Sequence, residues 1–426
     1  MRTRILFKIP AIKLYHNTIM TKNRFSRLAF QWIISLGLLL AGSDGINAQS
    51  RPNVIVIMVD DMGYGDLGCY GSKKINTPRI DKMAAEGIRF TDFYSGTSVC
   101  APSRAALMTG FHTGHTAVRG NREIKPEGQY PLPDSSYTMA ELFRAAGYAT
   151  GGFGKWGLGS PGSSGDPMHQ GFTRFYGYNC QREAHQLYPN HLWSDLQRVS
   201  LDNRPDQQRQ YAPDLIQEQV LSFISTNATR PFFMYLAYTP PHAALQVPPG
   251  DSAYEAYKKL FNEQPQAVPD WKGTGYQPNP YPKAAYAAMV SRVDRYVGEV
   301  LDRLKAHGID RNTLVMFTSD NGPHKEGGND PIFFNSSAGF RGVKRALYEG
   351  GMRVPMVVRW PAVIQQPAVT NHVSASWDLL PTFDALLGGK KIRQTDGISM
   401  LPLLTGAKGQ VTHPSLYWDF QEENGR

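Results

Sequence analysis

Cys100, Pro102 and Arg104 open the run Ser98-Val99-Cys100-Ala101-Pro102-Ser103-Arg104-Ala105-Ala106-Leu107-Met108-Thr109-Gly110, whose spacing brings sulfur, a fixed positive charge and a helix start to one spot. Proline suits the first position of a helix, because the N–H it lacks would have had no partner there. A helix is therefore expected to open at Pro102 and stop at Gly110. Cys100 then lies at its N-terminus, where free N–H groups and the helix dipole favour an anion. Arg104 follows four residues on, about one turn away, so its guanidinium can approach the cysteine. The arrangement suits an oxyanion held beside a reactive side chain.

A second group of residues suits a metal ion. Asn53-Val54-Ile55-Val56-Ile57-Met58-Val59 is a continuous, largely β-branched apolar run, expected to be a strand buried on both faces. Asp60 and Asp61 follow it, and adjacent carboxylates at that place repel unless a cation or hydrogen-bond donors compensate. Asp320 and Asn321 follow a second such run, Thr313 to Thr318. Three carboxylates and an amide form an oxygen donor set without a thiolate cluster, which favours a hard divalent cation, Ca²⁺ ahead of Mg²⁺. Lys155 follows the strand expected at residues 148–153, His242 follows Pro231 to Tyr238 through Thr239-Pro240-Pro241, and Lys344 lies in the glycine-rich stretch from Gly339 to Gly351. The two lysines are candidate anion contacts.

These positions share one property: Asp60 and Asp61, Lys155, His242, and Asp320 with Asn321 each stand at the carboxyl end of a separate expected strand. In open α/β sheets ligands gather along that edge. Helices are expected between the strands at residues 77–87, capped by Thr77 with Pro78 first and Gly87 ending it, and at 137–146, 214–226 and 284–307, with another at 377–387. Strands alternating with helices predict an α/β fold built on a large, mixed but mostly parallel sheet with helices on both faces. Residues 89–94, 353–360 and 415–420 read as further strands. The stretch from Gly157 to Arg209 shows little periodicity, but its aromatic residues and its polar Gln181, Arg182, His185 and His191 suit the lining of a sugar site. Asp251 to Pro282 reads as an insertion loop.

The net charge of +9 is no sign of nucleic acid. Residues 1–48 hold seven of the 45 Lys and Arg against one Asp, leaving 38 cationic and 35 acidic residues, a net of +3, from Gln49 onward. That leader has Lys22, Arg24 and Arg27 before the apolar run Leu28 to Ala41, then Ile46-Asn47-Ala48, the pattern of a signal peptide cleaved near Ala48. An exported protein is expected, periplasmic or extracellular, with no membrane span in the mature chain. Cys69, Cys100 and Cys180 include no CxxC pair, so neither a disulfide framework nor a thiolate zinc site is indicated. Cys69 and Cys180 are left to pair or to stay buried.

The run Cys100-Ala101-Pro102-Ser103-Arg104 with Thr109-Gly110 behind it resembles the signature of the type I sulfatases, and the resemblance extends in order from Pro52 to about Phe420. It implies an alkaline phosphatase-like fold and hydrolysis of sulfate esters, of sulfated sugars or aryl sulfates. In that family the cysteine is oxidised to Cα-formylglycine by a maturing enzyme. By the same resemblance Asp60, Asp61, Asp320 and Asn321 would hold Ca²⁺ with the modified Cys100, and Arg104 would orient the formylglycine. Lys155, His242 and Lys344 would bind sulfate and assist departure of the leaving oxygen, with His242 as general acid and His185 among the substrate contacts.

Two departures from the pattern stand out. Gly157 occupies a position where many sulfatases carry a histidine, for which His185 or His324 would have to substitute. The resemblance also leads one to expect a small C-terminal antiparallel domain of which only the start would be present, dividing the chain into a leader at 1–48, a catalytic domain at 49–412 and the start of a subdomain at 413–426. The competing readings are a phosphodiesterase or phosphonate monoester hydrolase of the same superfamily, and a non-catalytic carbohydrate-binding relative if Cys100 stays unmodified.

Overall fold

The computed structural model describes residues 51–269, 271, 275–392 and 394–421, so the expected leader lies outside the described residues. Strand β1 (Asn53–Val59) is buried along its whole length, as its apolar run requires, between β8 (Phe232–Tyr238) and β9 (Thr313–Ser319), both parallel to it. Its side chains alternate: Ile55, Ile57 and Val59 enter the core on one face, Val54, Val56 and Met58 the core on the other. Each such side chain taken from water contributes about 1.5–3 kcal/mol, so a slip that carried Asp60 into either core would be opposed at every position.

Ten strands form the main sheet in the order β11-β2-β10-β9-β1-β8-β4-β5-β6-β7. Here β2 is Ile88–Phe90, β4 Ala149–Lys155, β5 Arg174–Tyr178, β6 His191–Ser194, β7 Gln197–Ser200, β10 Met356–Arg359 and β11 Ala368–Thr370. The central run β9-β1-β8-β4-β5 is parallel, and β10, β6 and β7 supply the antiparallel pairings. One face packs on α1 (Pro78–Ala85), α4 (Ala212–Thr226) and α6 (Pro282–Ala306), the other on α2 (Cys100–Thr109), α3 (Met139–Ala145) and α7 (Leu379–Leu386). This is the mixed, mostly parallel α/β architecture expected from the sequence.

Register is what assembles the site. Val59 pairs with both Tyr238 and Ser319, and Gly154 pairs with Ala237, so Asp60, Thr239, Asp320 and Lys155 come to the sheet edge at nearly one level. The ladder runs past the strands, with Asp60 N donating to the Tyr238 carbonyl and Asp320 N to the Val59 carbonyl, both at 3.1 Å. Gly154 makes the approach possible: its φ is +99°, and a Cβ there would meet the Ala237 oxygen at 2.1 Å.

Several expectations need correction. The helix expected to open at Pro102 begins at Cys100, with Val99 as its N-cap, so the proline sits third, still in the turn whose N–H groups lack helical partners. Residues 89–94 are two strands, β2 and β3 (Phe93–Tyr94), and β3 pairs with β12 (Ser374–Ala375) in a separate sheet. Gly157 to Arg209 contains β5, β6 and β7, of only five, four and four residues, too short for their alternation to stand out. Asp251 to Pro282 is not wholly loop: Asp251 caps α5 (Ser252–Phe261) by accepting from Tyr254 N at 2.9 Å. Residues 415–420 form no strand; the Trp418 indole donates to the Ser95 carbonyl at 3.1 Å and Asp419 N to the Thr113 hydroxyl at 2.8 Å. Thr77 does not cap α1 with its side chain. That task falls to Asp294 of α6, which accepts from Arg79 N and Ile80 N at 3.0 and 2.8 Å. Cys69 and Cys180 are free thiols.

Candidate active site

Asp60 and Asp61 leave β1 with fully buried side chains, and Asp61 takes a left-handed φ of +64°. That turn aims its N–H at Asp320 Oδ1, 3.0 Å away, and brings its Oδ1 within 2.7 Å of the Asn321 amide nitrogen. Lys344 Nζ donates to Asp61 Oδ2 at 2.7 Å, and Lys155 Nζ, at the last residue of β4, to Asp60 Oδ2 at 2.6 Å. The Arg104 fork spans the cluster: Nε and Nη2 donate to Asp320 Oδ2 at 3.1 and 2.8 Å, Nη1 donates to the Lys155 carbonyl at 2.7 Å, and Nη2 lies 3.4 Å from Asp60. Three buried carboxylates thus face three buried cations.

Burial and mutual charge set the protonation states. Burial pushes the Asp60 carboxyl up, but Lys155 and the other cations reverse this and hold it well below the usual carboxylate range. Asp320 is pushed up to about 7 by burial and by Asp60, against the pull of Arg104. Burial pulls both lysines down, yet Asp60 keeps Lys155 raised and Asp61 keeps Lys344 well above its ordinary value. Cys100, at the first residue of α2, has its Sγ 3.4 Å from Asp60 Oδ1. Burial and the Asp60 charge push its thiol up. At neutral pH it is therefore a thiol, a poor nucleophile as it stands.

His242 is buried beside Lys344 and Asp61, its Nε2 3.1 Å from Lys344 Nζ and 3.3 Å from Asp61 Oδ2. Its Nδ1–H donates to the Ala243 carbonyl, so Nε2 carries the lone pair and accepts from the lysine. Burial and then Lys344 hold the imidazole well below its ordinary pKa. His242 is neutral in this state, and the proton next to it resides on Lys344. His185 stacks on His242 at 4.8 Å and 8°, and Tyr276 packs against both rings.

The donor set fits a hard divalent cation. Asp60 and Asp61 bring carboxylate oxygens together, Asp320 is tied to them by the Asp61 N–H and by Arg104, and Asn321, whose amide nitrogen bonds Asp61 Oδ1, has its own Oδ1 buried with no hydrogen-bond partner. An unpaired buried amide oxygen is costly, and a bound cation would satisfy it. A second set of metal-type donors, Asp60, Asp61, Cys100 and His242, has atoms within 4.8 Å of one another. Cys100, Arg104, Lys155, His242, Lys344, Asp60, Asp61, Asp320 and Asn321 thus meet in one place, and a cavity of about 650 Å³ leads to Cys100, His185, His242 and Lys344. Gly157 has a φ of +74°, and the Gln181 side chain fills the space where a Cβ would go. Of its two candidate substitutes, His185 lines the cavity; His324 is fully buried, with Nε2 bonded to the Pro241 carbonyl at 3.0 Å. Tyr276 escaped the sequence reading because it stands in a Pro-rich segment without periodicity.

A sulfatase family model matches residues 52–389. The chain belongs to the sulfatase family. This sulfatase is 34% identical over 416 residues to arylsulfatase A of Homo sapiens, a match that covers 89% of this chain and 73% of that protein. It is 32% identical over 413 residues to the N-acetylgalactosamine-6-sulfatase of Canis lupus familiaris, covering 91% and 72%. Among solved structures, Ps i-CgsB in complex with k-i-k-neocarrahexaose is similar at a TM-score of 0.69 and 30% identity, over 83% of this chain and 76% of that one. The phosphonate monoester hydrolase of Agrobacterium radiobacter shares the fold, with a TM-score of 0.61 at 20% identity over 88% and 82%. The sulfatase is a sulfuric ester hydrolase of the alkaline phosphatase-like superfamily.

Proposed function

We propose that this sulfatase removes sulfate from sulfated carbohydrates, using Cys100 oxidised to Cα-formylglycine as nucleophile and Ca²⁺ held by Asp60, Asp61, Asp320 and Asn321, with Mg²⁺ the less suited ion. The observation that carries the reading is the meeting of Cys100 with three buried carboxylates, three buried cations and an unpaired amide oxygen at one sheet edge. Relatives named for a sulfated sugar, and a neighbour solved in complex with k-i-k-neocarrahexaose, support the carbohydrate class. The expected leader supports export, and among the described residues no helix is long and apolar enough to cross a membrane.

When bound, the cation would stabilise negative charge growing on the sulfate oxygens. Lys155 and Lys344 add fixed positive charge in a site shielded from water, where such groups act most strongly. Arg104 fixes Asp320 and the Lys155 carbonyl, and so the position of both walls around residue 100. Formylglycine at residue 100, as the hydrated aldehyde, would supply one hydroxyl as the nucleophile toward sulfur and a second whose proton loss allows sulfate to be released. The departing oxygen needs a proton, and the one at hand is on Lys344 Nζ, which His242 Nε2 contacts at 3.1 Å. Lys344 is held well above its ordinary value and His242 well below, so the lysine is the donor toward the leaving oxygen and the neutral imidazole accepts from it and orients it.

The test is the intact mass of the peptide containing Cys100, together with turnover of 4-nitrophenyl sulfate. Conversion of thiol to aldehyde lowers the mass by about 18 Da, a covalent change independent of folding. An active enzyme carrying only the thiol would refute the mechanism. A phosphate diester of the same leaving group, hydrolysed faster than the sulfate, would favour the phosphodiesterase reading.

A further inference from the structure

We propose that the cavity leading to Cys100 seats an uncharged sugar ring whose only anionic group is the sulfate to be removed, and discriminates against rings that also carry a carboxylate or a second sulfate. The proposal rests on the sulfatase reading only for which end of the ligand reaches Cys100. It comes from how the wall beyond the sulfate seat spends its charge. Arg182 lies 3.1 Å from Glu123 and 3.9 Å from Glu183, and Arg345 is paired with Glu326. The guanidiniums that an extra anion would need are held by carboxylates. Glu123 and Glu183 line the cavity itself, and its cations Arg182, Arg345 and Lys344 each already hold a carboxylate, so a second negative group meets two like charges and must displace an existing ion pair to find a partner.

Two further features suit hydroxyl groups. Gln186, in the same wall, donates its Nε2 to the Gly275 carbonyl at 2.7 Å, while its Oε1 is buried with no hydrogen-bond partner. A sugar hydroxyl can donate to that oxygen; a carboxylate or sulfate has no proton to give. The carboxylates of Glu123 and Glu183 are likewise acceptors for ring hydroxyls. Opposite them, His185 is kept neutral, its pKa lowered to about 3 by burial and then by Lys155 and Lys344, and with Tyr276 it offers flat ring faces for the sugar to lie on.

The test is calorimetric binding to the full chain carrying Cys100→Ser, with hexose monosulfates sulfated at each ring hydroxyl in turn and the matched hexuronate monosulfates and hexose disulfates. At least one hexose monosulfate is expected to bind tenfold or more tightly than both of its charged counterparts. A uronate or disulfate that binds equally well or better, or no binding of any neutral monosulfate, would overturn the proposal. Turnover of 4-nitrophenyl sulfate by the unsubstituted enzyme is read in parallel. Selective binding without turnover sinks the hydrolysis reading alone; turnover with uronate preference sinks the present proposal alone. In the double variant Glu123→Gln, Glu183→Gln the preference should fall below about threefold, since removing the carboxylates removes the repulsion. This ratio compares two ligands on one preparation, so partial unfolding does not move it. A ratio that stays at tenfold would show that these carboxylates are not its source.

Discussion

Replacing Arg104 by alanine should destabilise the fold severely and in a way a divalent cation can partly repair. Arg104 is fully buried and bonded to Asp320, to the Lys155 carbonyl and, at 3.4 Å, to Asp60. Its loss leaves Asp60, Asp61 and Asp320 facing Lys155 and Lys344 alone: Asp320, already raised to about 7 with Arg104 present, must then take up a proton and stands in a dry cluster without its two guanidinium bonds. Removing one partner of a buried pair costs about 3–5 kcal/mol. Arg104→Lys keeps the charge but not the planar fork, so one bond to Asp320 or the one to the Lys155 carbonyl is lost, at about 1–3 kcal/mol. Urea unfolding followed by fluorescence and circular dichroism, in chelator and then in excess Ca²⁺, measures both. Ca²⁺ should raise the midpoint of Arg104→Ala more than that of the parent, because the added charge offsets the missing guanidinium. A loss below about 1 kcal/mol in chelator, or an equal Ca²⁺ effect on both proteins, would refute the charge-balance reasoning.

Four other outcomes follow from the geometry. Chelation should abolish sulfate hydrolysis while lowering the unfolding temperature only modestly, because Arg104, Lys155 and Lys344 keep the carboxylates paired and the loss is that of the bound ion alone; complete unfolding on chelation would contradict this. Lys344→Ala and His242→Ala should lower kcat/KM for sugar sulfates by about 10²–10⁴-fold, and much less for 4-nitrophenyl sulfate, whose leaving group needs little proton donation; equal losses on both would remove the pair from that role. Asp294→Ala should cost about 1–2 kcal/mol in urea unfolding by stripping the cap from α1. Burial raises the Asp294 carboxyl to about 6, above its unfolded value of about 3.9. Its folded form therefore keeps a proton that the unfolded form has lost between about pH 4 and 6, and stability from this group falls as pH rises through that window; the stability difference between Asp294→Asn and the parent should change across it and be flat above it.

The sequence was most legible where chemistry and periodicity coincide. Asp60, Asp61, Asp320 and Asn321 declared themselves by standing after β-branched runs, and those runs are parallel neighbours whose register brings them level. Cys100 and Arg104 were readable from helix-start chemistry, although that helix begins two residues before its proline. What stayed hidden depends on partners distant in sequence. Asp294 caps α1 across more than 200 residues, so Thr77 looked like the cap. β5 to β7 form in a glycine-, proline- and aromatic-rich stretch because β4 offers an edge for β5 to extend, and no local pattern announces that. His242 could be placed at a strand end, but its neutral state follows from Lys344, which arrives 102 residues later.

Only 2% of the surface of Cys100 is open, inside the first turn of α2 and behind Asp60, Lys155 and Lys344. A sugar sulfate can reach that depth through the cavity, but the catalytic groove of another enzyme cannot close around a backbone held there. On the proposed chemistry, then, the maturing enzyme has a deadline: it must meet residue 100 while the polypeptide is still extended, and a molecule that collapses first is committed to inactivity for as long as it stays folded.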